Sequence, residues 1–211
     1  SIAAKDGKFR IEKKIAQAMA RSGKIIHINV GVDFGGNGSG HAFVATGELQ
    51  GYEKLIILKS RRYLEGEYDP DTGKKILDID PKALDELFIR FIEAVTKEYG
   101  FITKVYADSA ESVLIRGFRT ALVQSGHGDI KVVNAMKSKI TDRIFATTAL
   151  TAMNRLLITE DCESFEQAAS MAVWDPKSLE LERLDDGTSD IDTLDSFEYS
   201  FERDISKFLR R

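Results

Sequence analysis

The stretch Ile25–Asp33 and the turn behind it constrain the fold more than any other part of the chain. "IIHINVGVD" is largely apolar and rich in β-branched residues, the pattern of a buried strand. It ends on an aspartate and runs directly into "FGGNGSGH", a turn with four glycines at 35, 36, 38 and 40. A carboxylate placed there serves one of two chemistries. Either the glycine turn cradles a phosphate, or Asp33 holds a metal ion.

The rest of the chain supplies a sheet for that strand. Ala42–Thr46 is expected as the return strand and Leu55–Ser60 as a third. "RRYLEGEYDPDTGKKILDI" reads as two extended arms around a 69–73 turn, a hairpin insertion. Asp80 and Pro81 open a helix over Lys82–Tyr99, with Leu84, Leu87, Phe88, Phe91 and Val95 on one stripe and Gly100 as its stop. Then follow a strand at Lys104–Ala107 ending on Asp108, a helix at Glu111–Ser125 and a strand at Ile130–Val133. A helix at Thr141–Met153 is expected to turn Ile144, Phe145, Thr148 and Ala149 inward. Beyond it come a strand at Leu156–Thr159, a helix at Phe165–Val173, an edge strand at Ser178–Glu182 and a final helix at Ile191–Leu209. Trp174 is expected to be a packing residue. This order implies an α/β fold, a mixed sheet with helices on both faces and a β-hairpin insertion. Residues 1–24 read as a linker or N-terminal extension, a short amphipathic helix with Ile11, Ile15, Ala18 and Met19 on one side. Residues 25–211 read as one folded domain.

Composition narrows the function classes. A net charge of -4 in 211 residues argues against coating nucleic acid by bulk charge. One cysteine rules out an internal disulfide and disfavours a thiolate zinc site, and three scattered histidines make no zinc motif. A reducing, cytoplasmic setting fits. No run approaches a membrane span, the first 23 residues hold no apolar signal core, and the chain has no Walker-type phosphate loop.

Asp33 and Asp108 both stand at strand ends, where ligands of open α/β sheets gather. Asp192 and Asp195 are three apart on the final helix and share a face, with Tyr199 below them. Hard carboxylates without softer ligands select Mg²⁺ or Mn²⁺, and such a cluster can hold two ions, with Asp33 as the shared ligand and the glycines as clearance for a phosphate backbone. Each acid also has a plainer reading, as a turn residue, helix cap or solvated helix charge. Arg61, Arg62, Lys74 and Lys75 on the hairpin, and Lys137, Lys139 and Arg143 before and in the following helix, are candidate contacts to DNA phosphates. As surface charges they would simply keep the chain soluble. His41 reads as a strand residue and not a general base, and His127 as a loop residue.

Taken in order, "VGVDFGGNGSGHAFVATG", "VYADSAESVLIRGFR", "VVNAMKSKITDRI", "LLITEDCESFEQAASMAVWD" and "DIDTLDSFEYSF" resemble the nuclease domain of the large terminase subunit of tailed bacteriophages, from Ile25 to Arg211. The resemblance implies a ribonuclease H-like fold and a metal-binding triad of Asp33, Asp108 and Asp195. The family often carries a histidine three residues before its last aspartate. This chain has Asp192 there, a further ligand or a residue tuning the others. The resemblance further implies an endonuclease using two Mg²⁺ or Mn²⁺ ions to cut concatemeric double-stranded DNA during packaging. It places the protein in the host cytoplasm and not in the mature virion. Its implied partners are an ATPase domain absent from this chain, the small terminase subunit and the portal. The isolated domain is expected to be monomeric and to have no membrane role. Two other readings share the first motif: an actin-like or sugar-kinase-like ATPase, and a Holliday-junction resolvase. A degenerate fold serving only for docking ranks last.

Overall fold

The computed structural model describes residues 9–36, 39–172 and 190–210. Six strands form one mixed sheet: β1 (Ile25–Asp33), β2 (His41–Leu49), β3 (Leu55–Tyr63), β4 (Lys104–Ala107), β5 (Lys131–Asn134) and β6 (Leu156–Ile158). Their order across the sheet is β5-β4-β1-β2-β3-β6. β1, β2 and β3 pair antiparallel, whereas β4 runs parallel to β1, β5 to β4 and β6 to β3. β1 is therefore central, and its C-terminal end lies beside that of β4, with Val32 opposite Ala107.

The period of two along β1 sorts its side chains between two cores. Val30, Val32 and Phe34 face one core, with Phe43 and Ala45 of β2. Three helices cover that face: α1 (Lys13–Arg21), α2 (Pro81–Tyr99) and α3 (Ser112–Gln124). Phe43, Phe88, Phe91 and Phe118 meet there, and the Phe88 and Phe118 rings stack 3.8 Å apart. Each ring buried this way stabilises the fold by roughly 1.5–3 kcal/mol. The second core gathers Val44, Leu55 and Ile57 under α4 (Ile140–Ala152), α5 (Glu163–Met171), α6 (Ile191–Phe201) and α7 (Ile205–Leu209). On β1 the second face carries Asn29, Gly31 and Asp33, small or polar residues, and α6 is laid against it. Helices on both faces of a mixed sheet are the expected α/β architecture.

Asp80 caps α2 by accepting from Ala83 N–H at 2.7 Å, with Pro81 at the first helical position. β3 runs three residues past its expected end, which puts Arg61 and Arg62 on a strand. The hairpin after it is small, with a single ladder bridge, Tyr68 to Lys75. The final helix breaks after Phe201 into a 3₁₀ turn, Glu202–Asp204, before α7.

Two helix faces differ from expectation. In α4, Arg143, Ala146 and Leu150 are buried, while Phe145 is 65% exposed and Thr148 also faces out. The helix is rolled so that the Arg143 guanidinium, and not the Phe145 ring, points inward, because the buried Glu198 and the partly buried Asp195 await it on α6. In α1, Ala16 is buried, and Ile15 and Ala18 are exposed. The segment before α1 packs on the domain: the Ile11 and Ile158 N–H groups donate to Ile158 and Phe9 carbonyls, and Lys13 joins Glu98 and Asp161. Trp174 and the strand expected at Ser178–Glu182 lie outside the described residues. Among the described residues no helix is long and apolar enough to cross a membrane.

Candidate metal centre at the end of the central strand

Asp33 is the last residue of β1 and only 8% exposed. Asp108 follows β4 directly, and its N–H donates to Val32 carbonyl at 3.0 Å, which extends the parallel ladder by one step. Neighbouring parallel strand ends thus set these two acids side by side. One Asp108 oxygen accepts from Ala110 N–H at 2.9 Å, an Asx turn that fixes its carboxylate; the helix that follows starts after Glu111, which makes no side-chain cap.

Asp192 and Asp195 reach the same place because α6 comes unusually close to β1. Gly31 has no side chain, and the Ser196 hydroxyl donates to the Gly31 and Ala42 carbonyls at 2.7 and 3.1 Å. One turn on, the Ser200 hydroxyl accepts from Thr46 at 2.9 Å. Asp190 caps the helix, accepting from Thr193 N–H at 3.0 Å. Asp192 accepts from Gly40 N–H at 3.1 Å and so ties the helix start to the end of the glycine turn.

The electrostatics record the convergence. Burial first, then the charges of Asp195, Asp192 and Asp108, push the Asp33 carboxyl up to about 9, with Lys137 opposing. Burial and the charges of Asp195, Asp33 and Asp108 likewise drive the Tyr199 phenol up. Among the described residues, Lys137 and Arg143 attend the acids. Lys137 Nζ lies 2.6 Å from Asp108. Arg143 lies 3.0 Å from Asp195 and 2.9 Å from Glu198, with its guanidinium over the Tyr199 ring.

The glycine turn does more than leave clearance. A Cβ on Gly35 would stand 2.3 Å from the Ser39 carbonyl oxygen, and one on Gly40 would stand 2.7 Å from Arg62 Nε. These two glycines let the turn close on itself and on Arg62, while Gly36 faces open space.

The expected phosphate contacts fall into two groups. Lys74, Lys75, Lys137 and Lys139 are exposed. Arg61 is held at 2.6 Å from Asp71 and 2.7 Å from Asp161, and Arg62 lies near Glu67 and Asp190. Arg143 is 7% exposed and bound to the acids themselves. His41 lines a cavity of about 450 Å³ with Gly35, Gly36, Ser39, Tyr63 and Glu65, and burial lowers its imidazole pKa. Two residues of the neighbourhood carried no sequence signal that singled them out. Glu198 is a buried partner of Arg143, and Glu202 accepts from the loop that carries Lys137. Their one trace was the placing of glutamates at 198 and 202, amid the apolar face of the last helix.

Among the described residues no three His, Cys, Asp or Glu side chains form a ready-made metal cage. The donor set nevertheless fits a hard divalent ion. It is all carboxylate, and Asp33 can ionise at neutral pH only if more positive charge arrives.

No protein-family model matches the chain, and no curated protein matches it. Solved structures do. The large terminase of the thermophilic bacteriophage D6E superposes with a TM-score of 0.59 at 21% identity over 84% of this chain. This chain spans 40% of the length of that protein. The large terminase nuclease domain of bacteriophage SPP1, solved with bound Mn, matches with a TM-score of 0.54 at 19% identity, covering 84% of this chain and 86% of that one. The P22 large terminase nuclease domain matches at 0.58 and 12% identity, with 84% and 81% covered. The fold is that of these nuclease domains, ribonuclease H-like, as the sequence resemblance implied.

Proposed function

We propose that this chain is the nuclease domain of a viral DNA-packaging terminase, a divalent-metal-dependent endonuclease acting on double-stranded DNA. The observation that carries the reading is the bearing of three carboxylates, Asp108, Asp192 and Asp195, from two other chain segments on Asp33, at the C-terminal edge of the central strand. A purely structural role does not account for so much like charge in one place, since burying it unneutralised is costly. The shared fold supports the same reading.

Asp33, Asp108 and Asp195 would hold Mg²⁺ or Mn²⁺, with Asp192 beside them. Two such ions, when bound, supply an activated water at neutral pH and neutralise charge on the scissile phosphate. The chain's own groups set the stage. Asp33 is fixed by the ladder, Asp108 by its Asx turn, and Asp195 by the close seat of α6. Lys137, exposed and paired with Asp108, would be available to a phosphate oxygen if Asp108 held a metal ion. Lys74, Lys75 and Lys139 are free to touch the backbone of a duplex without reading bases. Arg61 and Arg143 instead brace the acids and the hairpin. Within the same reading, the protein works in the host cytoplasm with an ATPase domain, a small terminase subunit and a portal.

The test is plasmid cleavage with Mn²⁺. The wild-type chain is expected to cut, and Asp33→Asn, Asp108→Asn and Asp195→Asn are expected to lose cutting while keeping their circular dichroism. Undiminished cutting by the Asp33→Asn protein refutes the site. Tight metal-dependent nucleotide binding without DNA cleavage favours the ATPase-like alternative, and a preference for four-way junctions over linear duplex favours the resolvase.

A further inference from the structure

The loop between β5 and α4 carries Lys137 but belongs to no ladder or helix. A single carboxylate organises it. Glu202, 2% exposed, accepts from the N–H groups of Met136 at 2.6 Å, Lys137 at 3.0 Å and Ser138 at 3.0 Å, and from the Ser138 hydroxyl at 2.9 Å. Successive N–H groups converging on one anion form a nest. The wrap holds Lys137 in the left-handed region, φ 53°, a conformation that a lysine does not keep unless its surroundings impose it.

Two consequences reach the acid cluster. From that backbone the Lys137 ammonium arrives 2.6 Å from Asp108. The Ser138 carbonyl accepts from Arg143 Nε at 3.1 Å, and the other end of the same guanidinium meets Asp195 and Glu198. Lys137 and Arg143 are thus both placed through the loop that Glu202 grips. Glu202 itself lies directly after α6, the helix that carries Asp192 and Asp195. One continuous segment brings two acids to Asp33 and, through its end, sets the counter-charges of the cluster.

We infer that Glu202 is a positioning residue for the candidate metal centre: it holds Lys137 against Asp108 as a built-in counterion that an arriving divalent ion must displace. The inference rests on the nuclease reading for its metal, but its first test does not. Glu202→Gln keeps the shape and replaces one acceptor oxygen by a donor facing N–H groups.

In metal-free protein, Lys137→Met and Glu202→Gln are each expected to lower Tm, and the double variant to fall little further than Glu202→Gln alone, because the grip is already lost. The Met136, Lys137 and Ser138 amides should exchange faster in Glu202→Gln while core amides of β1 do not. In a Mn²⁺ titration followed by thermal shift, Glu202→Gln should need a few-fold less Mn²⁺ for half of the full response, with no further change in the double variant. Additive Tm losses, or unchanged exchange of the three loop amides, overturn the inference. A wild-type protein whose Tm ignores Mn²⁺ overturns the nuclease reading instead, and the metal-free cycle still decides the role of Glu202. If Glu202→Gln does not fold, Ser138→Ala, which removes one donor of the nest, carries the same exchange test of its neighbours Met136 and Lys137.

Discussion

Ser196 donates its hydroxyl to the Gly31 carbonyl at 2.7 Å, and its own carbonyl oxygen lies 1.7 Å from where a Cβ on Gly31 would stand. Strand and helix touch backbone to backbone at this point, two residues from Asp33 and one from Asp195. The contact decides whether the acids meet at all.

Gly31→Ala is therefore expected to be severe. A methyl group cannot fit against main-chain atoms that are themselves held by the helix, so α6 must lift from the sheet. Overpacking of this kind costs about 1–3 kcal/mol, and main-chain contact puts this site at the upper end. Urea unfolding should show that loss, and any Mn²⁺-dependent cutting should fall by more than the unfolded fraction explains. A stable, fully active Gly31→Ala protein would contradict the close seat of the helix.

Asp33 makes stability depend on pH. In the unfolded chain it titrates near its ordinary 3.8, whereas in the metal-free fold it is pushed up to about 9. The fold retains a proton that the unfolded chain releases, so the contribution is fully present below about pH 4 and is lost as pH rises through 9. Asparagine at 33 has no such loss. In chelator, the Tm advantage of Asp33→Asn over wild type should grow between pH 5 and pH 8.5 by on the order of 10 °C, the equivalent of about 4 kcal/mol for one proton held across that range. Equal pH slopes for the two proteins would show that Asp33 is not the proton holder.

Arg143 should behave as a structural cation. Its side chain is 8% exposed and serves Asp195 and Glu198 together, and Glu198 is 1% exposed. Arg143→Ala takes this counter-charge from a buried carboxylate, at a cost of about 3 kcal/mol. Lys139→Ala, on the exposed loop, should leave stability within about 0.5 kcal/mol. Chemical denaturation of the two variants distinguishes a buried brace from a solvent-facing charge.

Cys162 reports on the whole fold. It is fully buried, its sulfur lies near Thr159 and the Ile57 carbonyl, and burial pushes the thiol up to about 12. Thiol labelling of native protein should run at least about 1000-fold slower than in denaturant and should track global unfolding. Fast labelling of the native protein would mean that the α5 side of the second core opens locally.

Much of the architecture was legible in the chain. The β1 boundaries, the Asp80–Pro81 helix start, the apolar stripe of α2 and the placement of Asp33 and Asp108 at strand ends all follow from period and punctuation, because local geometry dictates them. The apolar face of the last helix was legible for the same reason. What its two glutamates do was not: only the tertiary structure shows that Glu198 binds Arg143 and Glu202 the loop of Lys137.

The division between the two sources of information is sharpest at α4. A helical wheel turns Phe145 inward, since burying an aromatic ring is the largest local gain. The fold turns Arg143 inward, since Glu198 is buried opposite, beside the half-buried Asp195, and their charge must be answered. The sequence by itself determined the elements, the sheet class and the acids that could hold a metal, all properties of residues near one another in the chain. Only the tertiary structure decided that four of those acids share one place, that Gly31 and Ser196 let them meet, and that Glu202 carries their counter-charges. Those are relations between residues far apart in the chain, and electrostatic energy depends on their distance in space.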